Sequence, residues 1–537
     1  MMNVLILGSG GREHALAYKI KESPLCTNLF VAPGNSGTLN LATNLEIQID
    51  DFSLIESAII ANEISLVIVG PEVPLVNGIH DFLINNSLLK DIIIIGPKKE
   101  AAQLEGSKDY AKEFLNKHNI PTGKHETFTA NNIDDGYNYI DKMSPPYVLK
   151  ADGLAAGKGV LIIESAVEAK EQLYEMLINS KFGRASSSVV VEEFLDGIEL
   201  SCFVVTDGKR YKLLPSAKDY KRIGEGDTGL NTGGMGAVSP PPFLSEKLLN
   251  KIENKIIKRT IGGLKKDNLE YQGFIFFGLI IVENEPYIIE YNVRMGDPES
   301  EVVLPRIKSD FLQLLISLNN GSLDKYNLII DDLATATVFL VSGGYPEDYQ
   351  KSKQIYGLDS VTESIVFHAG AVKKDDKTVI ETNLYVKLTF EQGAGSYKCA
   401  GCHACNIVKN SKIFRSTNTK RKYSIRQKMS CRSSYIIYFI VCRNCGGNYV
   451  GKSKREFRRR HSGHKQEINN RLGGLGQHYH PSNGLGCNYN HLEATLIEKV
   501  KDGDEAYLAE RELYWQYQLR TFKENGGNAM NLKDDLN

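Results

Sequence analysis

Short continuous runs of Val, Ile and Leu recur at residues 4–7, 29–32, 66–69 and 92–95, separated by stretches of helical spacing, and several end in the turn sequences G-S-G, A-P-G, V-G-P or I-G-P. Apolar runs of this kind between helices predict strands of a parallel sheet covered on both faces, so residues 1–103 are expected to form a doubly wound α/β domain. Ligands of such sheets sit beyond the carboxyl ends of the strands. That rule gathers Gly8-Ser9-Gly10-Gly11-Arg12-Glu13-His14, Ala32-Pro33-Gly34-Asn35 and Gly70-Pro71-Glu72 around one crevice. Gly8 and Gly10 open a dinucleotide-like fingerprint, but Glu13 stands where its third glycine belongs, which is weak support for NAD. A helix start beside Arg12 is expected to bind one phosphate, with a capped structural turn as the alternative.

The pattern then changes. S-K-D-Y-A-K-E-F-L around Lys108 predicts an amphipathic helix ending near Pro121. Residues 147–160, Y-V-L-K-A-D-G-L-A-A-G-K-G-V, read as a strand, a glycine-punctuated turn and a second strand. Gly153, Gly157 and Gly159 allow a tight bend with bare N–H groups, and Lys150 and Lys158 bracket it, an arrangement suited to a polyphosphate. It contains no G-x-x-x-x-G-K-[ST], so it is not a Walker loop. Residues 189–194, V-V-V-E-E-F, are expected to be a strand edge leading into Leu195-Asp196-Gly197, with Glu199 beyond. Residues 217–236 are polar and glycine-rich and read as a long functional loop, in which Asp219, Lys221, Arg222, Asp227 and Asn231 could clamp a small zwitterionic or phosphorylated substrate. In Y-I-I-E-Y-N-V-R-M-G-D-P-E (287–299), Glu290 and Asn292 lie two apart on a strand and share a face, which suits Mg²⁺. Arg294 continues that face, and Ile288, Ile289 and Tyr291 read as the buried one.

Composition adds a division. The chain has 537 residues, 42% hydrophobic and 24% charged, values ordinary for a soluble protein of about three to five domains. The net charge of −1 hides an asymmetry: residues 392–537 carry 25 Lys and Arg against 12 Asp and Glu, whereas the preceding residues carry 39 against 53. Seven of the nine cysteines also follow residue 392. Cys26 and Cys202 read as buried reduced thiols. The start M-M-N-V-L-I-L-G lacks the form of a signal peptide, and the longest apolar runs, such as 274–282, are too short to span a bilayer, so a cytoplasmic location without membrane contact is expected. Cys399, Cys402 and Cys405, with Cys431 further on, and the pair Cys442 and Cys445 have the spacing of Zn²⁺ knuckles in a reducing compartment.

The motifs G-S-G-G-R-E-H-A-L, A-P-G-N-S-G-T, G-P-E-x-P-L, K-A-D-G-L-A-A-G-K-G-V, N-T-G-G-M-G-A and R-M-G-D-P-E, in this order over residues 2–383, resemble the ATP-grasp enzymes. More narrowly they are similar to the phosphoribosylamine–glycine ligases. The resemblance implies a doubly wound N-terminal domain (1–103), an ATP-grasp domain (104–327) and a small ligase domain (328–390). That last domain is truncated, because its closing elements are not recognised after Asn383, and its apolar surface is expected to be exposed. The resemblance also implies ATP-dependent joining of glycine to 5-phosphoribosylamine through a glycyl phosphate. Lys108, Lys150, Gly157 and Lys158 would meet the ATP phosphates, with Glu192, Glu193, Phe194, Leu195 and Glu199 around the nucleoside. Glu290 and Asn292 would hold Mg²⁺ or Mn²⁺. Gly10, Gly11, Asn35 and Glu72 would lie near phosphoribosylamine. Asp219, Asn231, Gly233, Gly234 and Arg294 would meet substrate or the transferring phosphoryl group, with Lys158, Asp219 and Arg294 as the catalytic set.

Residues 395–535 are different. Y-I-I-Y-F-I-V-C-R-N-C-G-G-N-Y-V-G-K-S-K-R-E-F-R-R-R-H-S-G-H resembles the GIY-YIG endonucleases, particularly those of Penelope-like retroelements. The expected plan is a Cys-rich zinc knuckle (391–430) and a small zinc-containing α/β GIY-YIG-like module (431–537). The resemblance implies Tyr438 and Tyr449 at a scissile phosphate, Arg460 (or Arg459) stabilising it, Glu512 on a divalent ion and Asn531 as the closing polar residue. His464 and His478 would complete a zinc site with Cys442 and Cys445. Arg455, Arg458, Arg459 and Arg460 would supply affinity for DNA. Three readings stay open: a ligase with an incidental tail, a DNA endonuclease whose ligase part is inert, and a mis-joined gene.

Overall fold

The computed structural model describes residues 1–154, 159–226, 228–361, 364–375, 377–380, 386–392, 395–397, 413–415, 422–425, 428–430, 433–445, 448–457, 459, 491–500 and 504–519. Gly157, Lys158, Asp227, Cys399, Cys402, Cys405, Cys431, Arg458, Arg460, His464, His478 and Asn531 lie outside the described residues. The chain divides into two compact units, Met1–Glu391 and Gln392–Asn537.

The first unit opens with the expected parallel sheet. Its strand order is Thr43–Asn44, Cys26–Pro33, Met2–Gly8, Leu66–Val69, Ile93–Ile95. Successive side chains of a strand point to opposite faces. Accordingly Leu5, Leu7, Val67 and Val69 enter one apolar core while Val4, Ile6, Leu66 and Ile68 enter another. Both faces are buried, which is why these strands read as unbroken apolar runs.

Two antiparallel sheets follow. One is ordered His125–Thr129, Ser188–Glu193, Tyr147–Ala151, Val160–Ile163. The other is ordered Tyr211–Leu213, Ile198–Thr206, Gly273–Val282, Glu285–Asn292. The strand Ser188–Glu193 is paired on both sides, so it is an interior strand and not the edge read from sequence. Only the backbone beyond Glu193 leaves the ladder.

Residues 217–236 are likewise not a loop. Lys218–Gly224 and Thr228–Ser239 form a twisted antiparallel hairpin with two register shifts, and it joins a sheet ordered Lys218–Gly224, Thr228–Ser239, Ala334–Leu340, Val386–Gln392, Ile365–His368. Much of the hairpin is exposed on both faces, which erased the apolar alternation that marks a strand. The strand Val386–Gln392 lies past the limit at Asn383 set by motif resemblance, yet it pairs with Ile365–His368 as part of this sheet. On the neighbouring strand Val338 and Leu340 are half exposed, so an apolar stripe does face solvent.

The second unit has a three-stranded antiparallel sheet ordered Asn448–Ser453, Ile436–Cys442, Leu492–Lys499, together with the helix Glu505–Leu519. Its core holds Tyr438, Phe439, Phe457, Leu496 and Leu508. Among the described residues no helix is long and apolar enough to cross a membrane.

Candidate active site

A cavity of about 230 Å³ opens among the strands Tyr147–Ala151, Ser188–Glu193 and Glu285–Asn292 and the helix Lys108–Lys117. Leu104, Leu115, Leu154, Val160 and Tyr291 give it apolar walls, and Lys108, Lys150, Glu192, Glu290 and Arg294 supply charge. An apolar cleft with a few convergent polar groups is the usual form of a small-molecule site.

Ser107 caps the helix that carries Lys108: its hydroxyl accepts from the Tyr110 amide at 3.1 Å and donates to Asp152 at 3.0 Å. Lys108 Nζ donates to the Ala151 carbonyl at 2.7 Å and the Gly153 carbonyl at 3.3 Å, which fixes the first part of the glycine-rich turn. Burial pushes the Lys108 ammonium below its ordinary pKa, with Glu290 opposing. Lys112, one turn on, faces the same cavity. It and Lys150 each lie 3.0 Å from one oxygen of the Glu192 carboxylate. Burial drives Lys112 down to about 8 against the attraction of Glu192. Burial also pushes Glu192 up, but Lys150 and Lys112 outweigh it and hold the carboxylate below its usual range. Glu192 therefore positions two ammonium groups. Glu193 N bonds the Lys124 carbonyl at 2.9 Å and its carboxylate accepts from the Lys124 amide at 2.8 Å, which turns the chain out at Phe194 and Leu195.

The strand Glu285–Asn292 carries a bulge. Glu290 faces Gly278 and Ile288 faces Leu279, so Ile289 is an extra residue. The bulge sends both Ile288 and Tyr291 into the core while Ile289 and Glu290 line the cavity, correcting the assignment of Ile289 to the buried face. Gly278 is needed opposite, since a Cβ there would stand 2.8 Å from Glu290 Cγ. Burial raises the Glu290 pKa, but Lys221, Lys150 and Arg294 together take it below the ordinary value, so the carboxylate is kept ionised. Asn292 Oδ1 accepts from Arg294 Nη2 at 2.8 Å, and the same nitrogen donates to Glu105 Oε1 at 2.7 Å. Glu105 Oε2 accepts from the Val293 amide at 2.7 Å, and Glu72 lies 3.6 Å from Arg294 Nε. Glu105 thus anchors Arg294, a role with no local signal in the sequence. Lys112 did carry one, being four residues from Lys108 on a helix.

Of the hairpin residues, Asp219 pairs in register with Ala237, and Asn231 with Arg222. Asn231 is exposed and, like Gly233, is not a wall of the cavity. Gly234, at φ +118°, approaches Pro298 and Asp219 so closely that a Cβ would lie 2.5 Å from Pro298 Cδ. Glu199 is paired with Lys221 at 2.8 Å.

The crevice of the first domain departs from expectation. The helix Gly11–Lys21 begins at Gly10, but Glu13 Oε2 accepts from the Gly10 amide at 2.6 Å and Asp297 Oδ2 from the Arg12 amide at 3.2 Å. The Arg12 guanidinium is held by Glu13 at 2.6 Å and the Met295 carbonyl at 3.2 Å. Carboxylates already occupy the anion site predicted beside Arg12, so a phosphate there would meet like charge. Glu13 fills the space over Gly8 and Gly70, where a Cβ would clash with it. Asn35 is spent on the loop's own fold: its amide donates to the Ser9 and His368 carbonyls at 2.9 Å each, and its oxygen accepts from the Gly37 amide at 2.8 Å. His14 Nδ1 accepts from the His368 amide at 2.8 Å, while Ser36 Oγ lies 2.7 Å from His368 Nδ1. Burial, with His368 nearby, pushes His14 down to about 3, so the ring is neutral. This contact ties the strand Ile365–His368 to the first helix.

In the second unit Tyr438 and Tyr449 sit on adjacent antiparallel strands with ring centroids 6.3 Å apart. Gly451 lies between them, and a Cβ there would come within 2.5 Å of Tyr438 Oη and of the Tyr449 ring. Glu512, on the helix Glu505–Leu519, is buried and 2.9 Å from Lys452. Tyr438 is fully enclosed and Arg459 exposed. Cys442 and Cys445 form no disulfide, and no group of three or more potential metal ligands occurs among the described residues.

The paired antiparallel sheets with a lysine-rich cavity between them define an ATP-grasp architecture. Family models agree: residues 2–105 match the phosphoribosylglycinamide synthetase N domain, 106–300 its ATP-grasp (A) domain, and 434–525 the GIY-YIG catalytic domain. Phosphoribosylamine–glycine ligase of Pasteurella multocida is 43% identical over 392 residues, covering 72% of this chain and 90% of the relative. The ligase of Agrobacterium fabrum is 44% identical over 379 residues, covering 70% and 88%. A crystal structure of phosphoribosylamine–glycine ligase from Thermotoga maritima superposes with a TM-score of 0.63 at 34% identity, covering 73% of this chain and 92% of that one. The chain belongs to the phosphoribosylamine–glycine ligase family.

Proposed function

We propose that the chain joins glycine to 5-phosphoribosylamine at the expense of ATP, giving glycinamide ribonucleotide, ADP and phosphate for de novo purine biosynthesis. The observation that carries this reading is the convergence of Lys108, Lys150, Glu290, Asn292 and Arg294 on one partly apolar cavity. The apolar walls suit the nucleoside, whose base would be met by the backbone of Phe194 and Leu195 beyond the end of the ladder. Lys108, Lys150 and Lys158 suit the phosphates, and Glu199 the ribose. Glu290, kept ionised and lining the cavity with Asn292, would hold a divalent cation such as Mg²⁺ or Mn²⁺ together with the amide oxygen of Asn292. Bound there, such an ion would neutralise charge on the transferring phosphoryl group. Arg294, braced by Glu105, presents its guanidinium to the same region. Forming an acyl phosphate demands position and charge neutralisation more than a base, and these residues supply both. Glycine and phosphoribosylamine would approach from the side of Asp219, Gly234 and Glu72, with Gly10, Gly11 and the Asn35 loop shaping the far wall. A cytoplasmic location fits this chemistry. The test is glycine-dependent release of ADP by the full chain, with phosphoribosylamine formed in situ from ribose 5-phosphate and ammonia.

A second activity is favoured by the packing of Tyr438 and Tyr449 in one small core, with the buried Glu512 paired to Lys452 on the strand that carries Tyr449. We infer a metal-dependent cleavage of DNA by this unit, with Arg459 and Arg460 on phosphate and Zn²⁺ held by Cys442, Cys445, His464 and His478. A separate knuckle would use Cys399, Cys402, Cys405 and Cys431. Nicking of supercoiled DNA that requires Mg²⁺ and is lost in Glu512→Gln would support it, and intact DNA under all conditions would remove it.

A further inference from the structure

We propose that Asp219 and Glu299 form a proton-accepting carboxyl pair that serves the second half of the ligation, taking the proton of the attacking amine. This rests on the ligase reading above. Glu299 is 3% exposed, and its Oε1 accepts from Ser201 Oγ at 2.8 Å. Asp219 comes from the hairpin, and its buried Oδ1 has no hydrogen-bond partner. Glycines keep the space around both. A Cβ at Gly234 would stand 3.1 Å from Asp219 Oδ1, and one at Gly296 would overlap Glu299 Oε2. The Gly296 turn lies just beyond Arg294, and its Asp297 bonds the Arg12 amide of the first domain. The pair therefore stands between the phosphoryl-transfer cavity and the crevice of the doubly wound domain.

The charged groups facing the pair are Lys221, Glu199 and Arg294, and Lys221 in turn faces Glu290. Lys221 is already engaged by Glu199 at 2.8 Å. Burial and the neighbouring Glu299 push the Asp219 carboxyl well up, and burial raises Glu299 as well. Asp219 Oδ1 and Pro298, the residue before Glu299, both crowd the Cβ position of Gly234, and two neighbouring carboxyls screened from water resist ionising together, so we assign the pair one proton and one charge. Glu290 is the contrast: its three cations keep it ionised, as a metal ligand must be.

Phosphorylation of the glycine carboxylate moves no proton, whereas amide formation needs one carried from nitrogen to the leaving phosphate. In the second half the amine lone pair bonds the acyl carbon, and the C–O bond to phosphate breaks with its electron pair leaving on the phosphate oxygen. The proton on nitrogen passes to the singly charged pair and from it to the departing phosphate, which leaves as HPO4²⁻, so the pair returns to its singly charged state.

The experiment separates the two halves in the full chain. With ATP and glycine, hydroxylamine traps glycyl phosphate as glycine hydroxamate. Being weakly basic, it gives up its proton without strong help. In Asp219→Asn and Glu299→Gln, ligation to phosphoribosylamine should fall by about 10²–10³-fold. Hydroxamate formation should fall by less than about tenfold, so the ratio of the two rates shifts. Equal loss of both reactions, or a raised glycine KM with unchanged kcat, would overturn the proposal, because the carboxyls would then be binding substrate. Should either variant fail to fold, wild-type pH profiles decide: at saturating phosphoribosylamine, ligation should show a rising limb toward neutral pH that hydroxamate formation lacks, and identical profiles refute the pair. A wild-type chain that forms neither product refutes the ligase reading itself.

Discussion

Replacing Glu192 by Gln removes one charge from between two buried ammonium groups. Glu192, Lys112 and Lys150 are each 5% exposed or less, and both lysines lie 3.0 Å from the carboxylate. The amide keeps the shape, so the loss is electrostatic. Breaking a buried ion pair by removing one partner costs about 3–5 kcal/mol, which should lower the melting temperature of the full chain by roughly 5–10 °C. The sign of the pH effect follows from Lys112. Its folded pKa, about 8, is below its unfolded value, so the unfolded state binds more protons between the two and stability rises with pH through that window. Without Glu192 the folded pKa falls further, and the window opens at lower pH. The deficit relative to wild type should therefore be largest near pH 6 and narrow by pH 9, as read from thermal melts across that range. A melting temperature within 1 °C of wild type, or a deficit independent of pH, would refute the claim that Glu192 holds the two lysines (about 1 kcal/mol corresponds to roughly 2 °C in a unit of this size).

Three further outcomes are expected. Arg294→Lys gives up the fork that joins Glu105 and Asn292, and the loss of charge-assisted bonds worth about 1.5–3 kcal/mol should lower kcat for ligation by roughly 10–100-fold, checked by steady-state kinetics. His14→Asn removes a ring whose folded pKa of about 3 lies below its unfolded value; wild-type stability should thus decline as pH falls from about 6.5 toward 3, and the variant should lose part of that slope in denaturant titrations. Gly451→Ala places a methyl group 2.5 Å from Tyr438 Oη, and overpacking of about 1–3 kcal/mol should make the second unit more sensitive to limited proteolysis while leaving ligation unchanged.

Much of the architecture is legible along the chain because local patterns carry it. Residues 4–7 and 66–69 are unbroken apolar runs since two cores need both faces of those strands. Lys108 opens its helix behind a serine cap, and the strand carrying Glu290 and Asn292 is marked by its alternation. What could not be read depends on contacts distant in sequence or on backbone irregularity. The bulge at Ile289 breaks the two-residue alternation. Glu13 folds back onto Gly8 and Gly10, so its carboxylate takes the amide that the sequence pattern offered to an anion. Glu105 and Glu299 acquire meaning only from Arg294 and Asp219, 189 residues away from Glu105 in the first case. The hairpin 218–239 is polar on both faces, so no periodicity marks it, and the strand Val386–Gln392 is placed by its pairing with Ile365–His368.

The most direct test of the ligase assignment is product formation by the full chain given ATP, Mg²⁺, glycine and phosphoribosylamine, followed by mass spectrometry. The account predicts glycinamide ribonucleotide and ADP in equal amounts, both dependent on glycine and both abolished in Glu290→Gln. ATP hydrolysis indifferent to glycine, or no glycinamide ribonucleotide from a folded chain, would contradict it.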